Sequence, residues 1–242
     1  MTTTGPIVTG RLSTVVFDAA NIDQVASFYA ELTGWQIVDQ DSAWITLRTA
    51  DGQDIAFQLA ADHRAPQWPG QHLPQQYHLD LQVDGYQQAA ERAVSLGATR
   101  LAEGTTWVTL ADPSGHPFDL CQQDGVGPVL ALFAATLDAP DAAGLARFYA
   151  ELLGMELSYE GPEGALIAGH GKSLMFQQVS EYTPPQWPDP DRPQQAHLDI
   201  TVDDLDAGEA RALDLGASRL DGGGKRFRVF ADPAGHPFCL CV

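Results

Sequence analysis

Two tripeptides in this chain set an imidazole and a carboxylate two residues apart on apolar, strand-like sequence: His78-Leu79-Asp80 and His197-Leu198-Asp199. In an extended segment that spacing puts both polar groups on one face, with Leu79, Leu81 and Val83 on the other. A neighbouring carboxylate favours the charged imidazolium and fixes the ring tautomer, so His78 and Asp80 are the candidate catalytic pair, acting as base or ligand anchor. The same pair can equally satisfy loop backbone groups, and its presence twice fits either use. Trp68-Pro69 and Trp187-Pro188 stand in Pro-rich stretches, where an indole either walls a bound organic molecule or staples a loop to a sheet edge. His116 and His236 follow a tight-turn signature and read as turn residues. Cys121, Cys239 and Cys241 lack any nearby sign of activation and read as strand packing. There is no dinucleotide or phosphate-loop motif, no nucleophile elbow and no zinc-protease helix.

These residues recur because the chain is duplicated. Phe28-Tyr29-Ala30-Glu31-Leu32 returns as Phe148-Tyr149-Ala150-Glu151-Leu152, and both His-Leu-Asp triplets, both Gln-Trp-Pro segments and both Gly-His-Pro-Phe segments follow in the same order. A period near 120 residues is too long for a solenoid, so two domains are expected, 8–123 and 128–242, each with its own core and joined by a linker over 122–128. Within one copy, strand alternation and helical spacing alternate twice. A strand over 12–17 leads to Asn21, a good N-cap. After it Ile22, Val25, Ala26, Tyr29 and Leu32 keep helical spacing, and Gly34 sits where a terminating glycine belongs. Three short strands follow, and the order then repeats from His78, with an Asp112-Pro113-Ser114-Gly115 turn before the last strand. Each copy is thus two βαβββ units, and the chain holds four.

The charge balance narrows the partners. The 242 residues carry 13 Lys and Arg against 32 Asp and Glu, a formal charge of −19, which repels nucleic acid and anionic lipid. With 44% apolar residues the chain is too hydrophobic for an acidic disordered one. Three cysteines make no disulfide framework, no stretch is long enough to span a membrane, and the amino terminus lacks a leader pattern, so a cytoplasmic protein, monomer or homodimer, is expected.

The opening strand and F-Y-x-x-L helix, the H-x-D strand, the helix ending L-G-A and the closing D-P-x-G-H-x-F strand resemble the vicinal oxygen chelate superfamily, in particular its glyoxalase-like members with paired domains. The resemblance covers nearly the whole chain. It implies an α+β fold in which tandem βαβββ modules form two open, curled mixed barrels with helices outside. It also implies a concave site that in metal-using members takes one His, Gln or Glu from each of four strands. Carried onto this sequence, those positions are Gln58, His78 and Asp119 in the first copy and Gln177, His197 and Cys239 in the second. The opening-strand positions, Arg11 and Ala131 with neighbours Ser13, Val15, Phe133 and Ala135, offer no ligand. The expected activity is therefore metal-free binding or sequestration of a small organic metabolite in the first copy, of the bleomycin-resistance type, or metal-independent chemistry. The residues expected at the ligand are Gln58, Trp68, His78, Asp80, Trp107, Asp119, Gln177, Trp187, His197 and Asp199. The alternative is a divalent-metal-dependent lyase, isomerase or dioxygenase using His78 and Asp119 with Gln58. Trp107 corresponds to Phe227 and Trp44 to Ala165, so the first copy is expected to hold the bulkier aromatic set.

Overall fold

The computed structural model describes residues 10–242. The first residues of the leader reading and the first two positions of the expected 8–123 domain lie outside the described residues. Four modules follow in chain order. The first holds β1 (Arg11–Ala19), α1 (Ile22–Thr33), β2 (Gln36–Gln40), β3 (Trp44–Arg48) and β4 (Asp54–Leu59). The second holds β5 (Tyr77–Val83), α2 (Tyr86–Ser95), β6 (Thr99–Glu103), β7 (Trp107–Ala111) and β8 (Pro117–Gln122). The third runs β9 (Ala131–Ala139), α3 (Ala142–Leu153), β10 (Glu156–Gly161), β11 (Gly164–Gly169) and β12 (Lys172–Gln178). The fourth runs β13 (Ala196–Thr201), α4 (Leu205–Asp214), β14 (Ser218–Gly223), β15 (Phe227–Ala231) and β16 (Pro237–Cys241). Among the described residues no helix is long and apolar enough to cross a membrane.

The local signals act as expected. Asn21 and Asp141 cap their helices by accepting from the amides of Gln24 and Gly144, satisfying donors that the first turn leaves free. Gly34 ends α1 in the left-handed conformation at φ 79°, with its amide bonded to the carbonyl of Ala30. Ile22, Val25, Ala26, Phe28, Tyr29 and Leu32 are the buried stripe of α1. Tyr29 stacks on Phe57 with ring centres 5.5 Å apart, and its hydroxyl donates to Asp112 at 3.2 Å.

The sheets, however, do not follow the sequence repeat. One has the order β14-β15-β16-β13-β1-β4-β3-β2 and the other β10-β11-β12-β9-β5-β8-β7-β6, so each curled, open sheet joins a module from one half to a module from the other. The junctions are antiparallel pairs, β1 with β13 (Val16 opposite His197) and β5 with β9 (His78 opposite Thr136). The expectation that each copy would enclose its own core is thereby corrected: one continuous apolar cluster draws on all four modules. The cause is that an opening strand, buried on both faces, needs neighbours on both edges. Within its own module β1 has only β4, and the second edge is filled by β13.

The crossing is knitted by a pair of glutamines. Gln76 and Gln195 each accept, through Oε1, a hydrogen bond from the other's backbone amide, at 2.9 and 3.1 Å, and each donates from Nε2 to a proline carbonyl across the junction at 2.8 Å. Both are buried, so this clasp satisfies backbone groups that would otherwise be stranded without water.

Candidate functional site

Each sheet curls around one cavity. In the first, β5 supplies His78 and Asp80, the parallel neighbour β8 sets Asp119 beside Asp80, and β7 adds Trp107 and Thr109. The loop before β5 brings Trp68 and Gln75, and β12 of the other half brings Gln177. The cavity holds about 340 Å³ and is lined by Trp68, Trp107, Thr109 and Cys121 together with Gln75, His78, Asp119 and Gln177. His78, Asp80 and Asp119 each place a ligand atom within 4.8 Å of the others.

Hydrogen bonds orient this floor. Thr136 donates to Asp80, and Thr109 donates to Asp119. Burial pushes the Asp119 carboxyl above the ordinary carboxylate range, with Asp80 adding to the rise, while His78 and the Thr109 hydroxyl pull it back. His78 Nε2 faces Asp80 Oδ1 at 3.8 Å. Its other nitrogen, Nδ1, lies 3.2 Å from Gln75 Nε2. The same amide nitrogen stands 3.1 and 3.2 Å from the two carboxylate oxygens of Asp138, on β9, and Gln177 Nε2 also reaches Asp138 at 3.3 Å. Burial raises the Asp138 carboxyl, partly offset by His78 and Gln75.

The second cavity repeats the frame with other chemistry. Its two adjoining lobes are lined by Trp44, Gln58, Trp187, Gln194, His197, Asp199, Phe227, Cys239 and Cys241. Gln194 again faces both a carboxylate, Asp18 at 3.1 and 3.3 Å, and a ring nitrogen, His197 Nδ1 at 3.4 Å. The donors differ, however: Thr136 is matched by Val16, Thr109 by Val229 and Asp119 by Cys239. Here burial dominates the electrostatics. Burial lowers His197 to about 4, raises Asp199 to about 6 and raises Cys241 to about 12. Burial, then Asp80 and Asp119, takes Cys121 to about 12 as well, so these thiols are held protonated and poorly nucleophilic.

The sequence reading is redistributed by this topology. His78, Asp80, Asp119, Trp68 and Trp107 do converge, but Gln58 lies in the other cavity with His197, and Gln177 takes its place beside His78. The grouping of Gln58 with His78 and Asp119 is corrected for the reason already given: β4 and β5 belong to different sheets. The aromatic expectation is corrected in the same way, since Trp44 joins Phe227 and Trp187 in the second cavity. Trp68 and Trp187 line the two cavities. His116 and His236 are fully buried turn residues: His116 bonds the Asp18 carbonyl at 2.7 Å, and His236 lies against Asp232 at 3.2 Å. Missed were Gln75, Gln194, Asp18, Asp138, Thr109 and Thr136. The first four had a signal in the sequence, since the first glutamine of a Pro-Gln-Gln stands three residues before each histidine and an aspartate is next to last in both opening strands.

A family model for the glyoxalase-like domain matches residues 14–121 and again 134–241. The chain therefore belongs to the glyoxalase-like family of the vicinal oxygen chelate superfamily. Glyoxalase I from Zea mays superposes with a TM-score of 0.63 at 19% identity, over 96% of this chain and 92% of that one. The cppA protein from Streptococcus pneumoniae superposes with a TM-score of 0.54 at 15% identity, over 97% of this chain and 99% of that one. At these identities the likeness shows the fold alone. Comparison with curated proteins finds no match.

The residues around His78 meet the needs of the divalent ion that many members of this superfamily use only in part. The imidazole and carboxylate donors come from two adjacent strands of one module, Gln177 joins the cavity from β12, the opening strand offers only Ala134 and the committed Thr136 hydroxyl beside them, and Gln75 Nε2 stands 3.2 Å from His78 Nδ1. A ring that accepts at Nδ1 carries its proton on Nε2, which is the nitrogen a metal would need.

Proposed function

We propose that the protein binds a small organic molecule in the His78 cavity and either sequesters it or transforms it without a metal. The observation that carries this reading is the pairing of two indole walls, Trp68 and Trp107, with a polar floor of His78 and Asp119 in a cavity of about 340 Å³, with Asp80 beside that floor. That volume suits one ring-containing metabolite, with the apolar body against the indoles and the polar end on the floor. The carboxylates favour a ligand that carries hydrogen-bond donors and disfavour a strongly anionic one. If chemistry occurs, Asp119, held above the ordinary carboxylate range by burial, is the group best suited to exchange a proton with the ligand.

The test is mass spectrometry of small molecules that co-purify with protein prepared without chelator, with metal analysis of the same preparation. A bound organic molecule, and a loss of affinity of tenfold or more in Trp68→Ala and His78→Ala, is the expected outcome. The three donors within 4.8 Å sustain one competing reading, a metal-dependent lyase, isomerase or dioxygenase. Stoichiometric divalent metal that disappears in His78→Ala would establish it and overturn the metal-free one.

A further inference from the structure

We propose that Gln75, anchored by Asp138 from the other half of the chain, is a positioning residue that locks His78 in its Nε2-protonated tautomer. The cavity then offers its ligand a hydrogen-bond donor where relatives that use a metal would offer a lone pair. The proposal deepens the small-molecule reading of this cavity and rests on it for the identity of the ligand, but not for the state of the ring.

The geometry leaves Gln75 one orientation. Its terminal nitrogen stands 3.1 and 3.2 Å from both oxygens of Asp138, a carboxylate that can only accept when ionised, so the amide group, not its carbonyl, must face that side. An amide nitrogen carries two hydrogens. One goes to Asp138, and the other points along the 3.2 Å contact to His78 Nδ1. Of the two neutral tautomers only the one with a bare Nδ1 can receive it, and its proton sits on Nε2. His78 is buried, so no water can substitute for this partner at little cost. The second cavity repeats the pattern with Gln194, Asp18 and His197, although its other donors have diverged. The relay persists where Thr136, Thr109 and Asp119 have given way to Val16, Val229 and Cys239, which points to it as a device kept in both cavities.

The consequence is a selection rule. A donor at His78 Nε2 calls for an acceptor oxygen on the ligand, such as a carbonyl or hydroxyl. The carboxylates of Asp80 and Asp119 close by call for donors next to it. The ligand class is thus a neutral or cationic ring compound bearing an adjacent acceptor and donor, as in a hydroxy ketone or an amide.

The ring state is measurable with no ligand at all. In protein labelled with nitrogen-15 at histidine, two-bond proton–nitrogen correlations distinguish the tautomers, and the His78 signals are those lost in His78→Gln. A protonated Nε2 and a bare Nδ1 are expected. In Gln75→Leu and in Asp138→Asn the His78 pattern moves toward the other tautomer while His197, with its own relay, stays unchanged. Gln75→Glu, whose carboxylate accepts, is expected to place the proton on Nδ1 and to raise affinity for Mn, Ni or Zn ions at the cavity by roughly 10–100-fold over the parent. A protonated Nδ1 in the parent protein would overturn the proposal, as would an unchanged pattern in a folded Gln75→Leu. Absence of any organic ligand would count against the functional reading and leave this result standing.

Discussion

A carboxyl group sealed from water carries a cost that pH can switch off, and Asp18 is in that position. Burial raises it from 3.8 to about 6, while Gln194 lowers it and Asp62 adds to the rise. With the folded value above the unfolded one, its contribution is favourable below pH 4 and is lost as pH climbs through 6. Asp18→Asn is therefore expected to gain stability over the parent as pH rises from 5 to 7.5, by about 1–1.5 kcal/mol, and urea midpoints at the two pH values would show it. His197, lowered to about 4, has the opposite sign: its penalty grows as pH falls from 6.5 toward 4. Thr136→Val, which copies the second cavity's Val16, removes the donor to Asp80 and is expected to cost about 1–2 kcal/mol and to weaken ligand binding. At this scale His78, Asp80 and Asp119 were legible, because strand alternation and a resemblance place them. Thr109 and Thr136 were not, since a threonine on a strand is ordinary sequence until its neighbour on the next strand is known.

The helices and strands were the easiest part to read, because their signals are local. Asn21, the apolar stripe from Ile22 to Leu32 and Gly34 mark α1 within a residue of its observed ends. Loss of the cap in Asn21→Ala or Asp141→Ala should each cost about 1 kcal/mol, visible as a lowered thermal midpoint, because an amide of the first turn loses its partner. Gly34→Ala tests a different cost. Nothing lies within 4 Å of the methyl group it would add, so the expected loss of about 1 kcal/mol comes from the left-handed backbone alone. The closing turn shows the same economy: Asp112 accepts the amides of Ser114 and His116, and Gly115 at φ 89° completes it. Sequence reasoning placed that turn and set its histidine aside as structural, as the buried His116 is.

Which strand pairs with which was not legible, because β1 and β9 are both largely apolar strands whose periodicity names no neighbour. Both cavities are assembled across the halves, and this decides how fragments should behave. A chain cut after residue 127 leaves β1 without β13 and β5 without β9. The isolated first half is expected either to stay unfolded or to self-associate by pairing its own β1 and β5 between copies. Mixing the two halves should restore a single compact species, and size-exclusion chromatography with circular dichroism would distinguish these states. A first half that folds as a stable monomer would contradict the topology. The shared assembly also bears on how such a chain evolves. In a homodimer every substitution alters both sites at once, whereas here a change such as Asp119 against Cys239 falls in one cavity only, so the cavities are free to drift apart. Yet each half lends residues to both, Gln177 to the His78 cavity and Gln58 to its counterpart. Deleting either duplicate would strip the remaining site of a lent residue, and only a second copy of the same half could replace it.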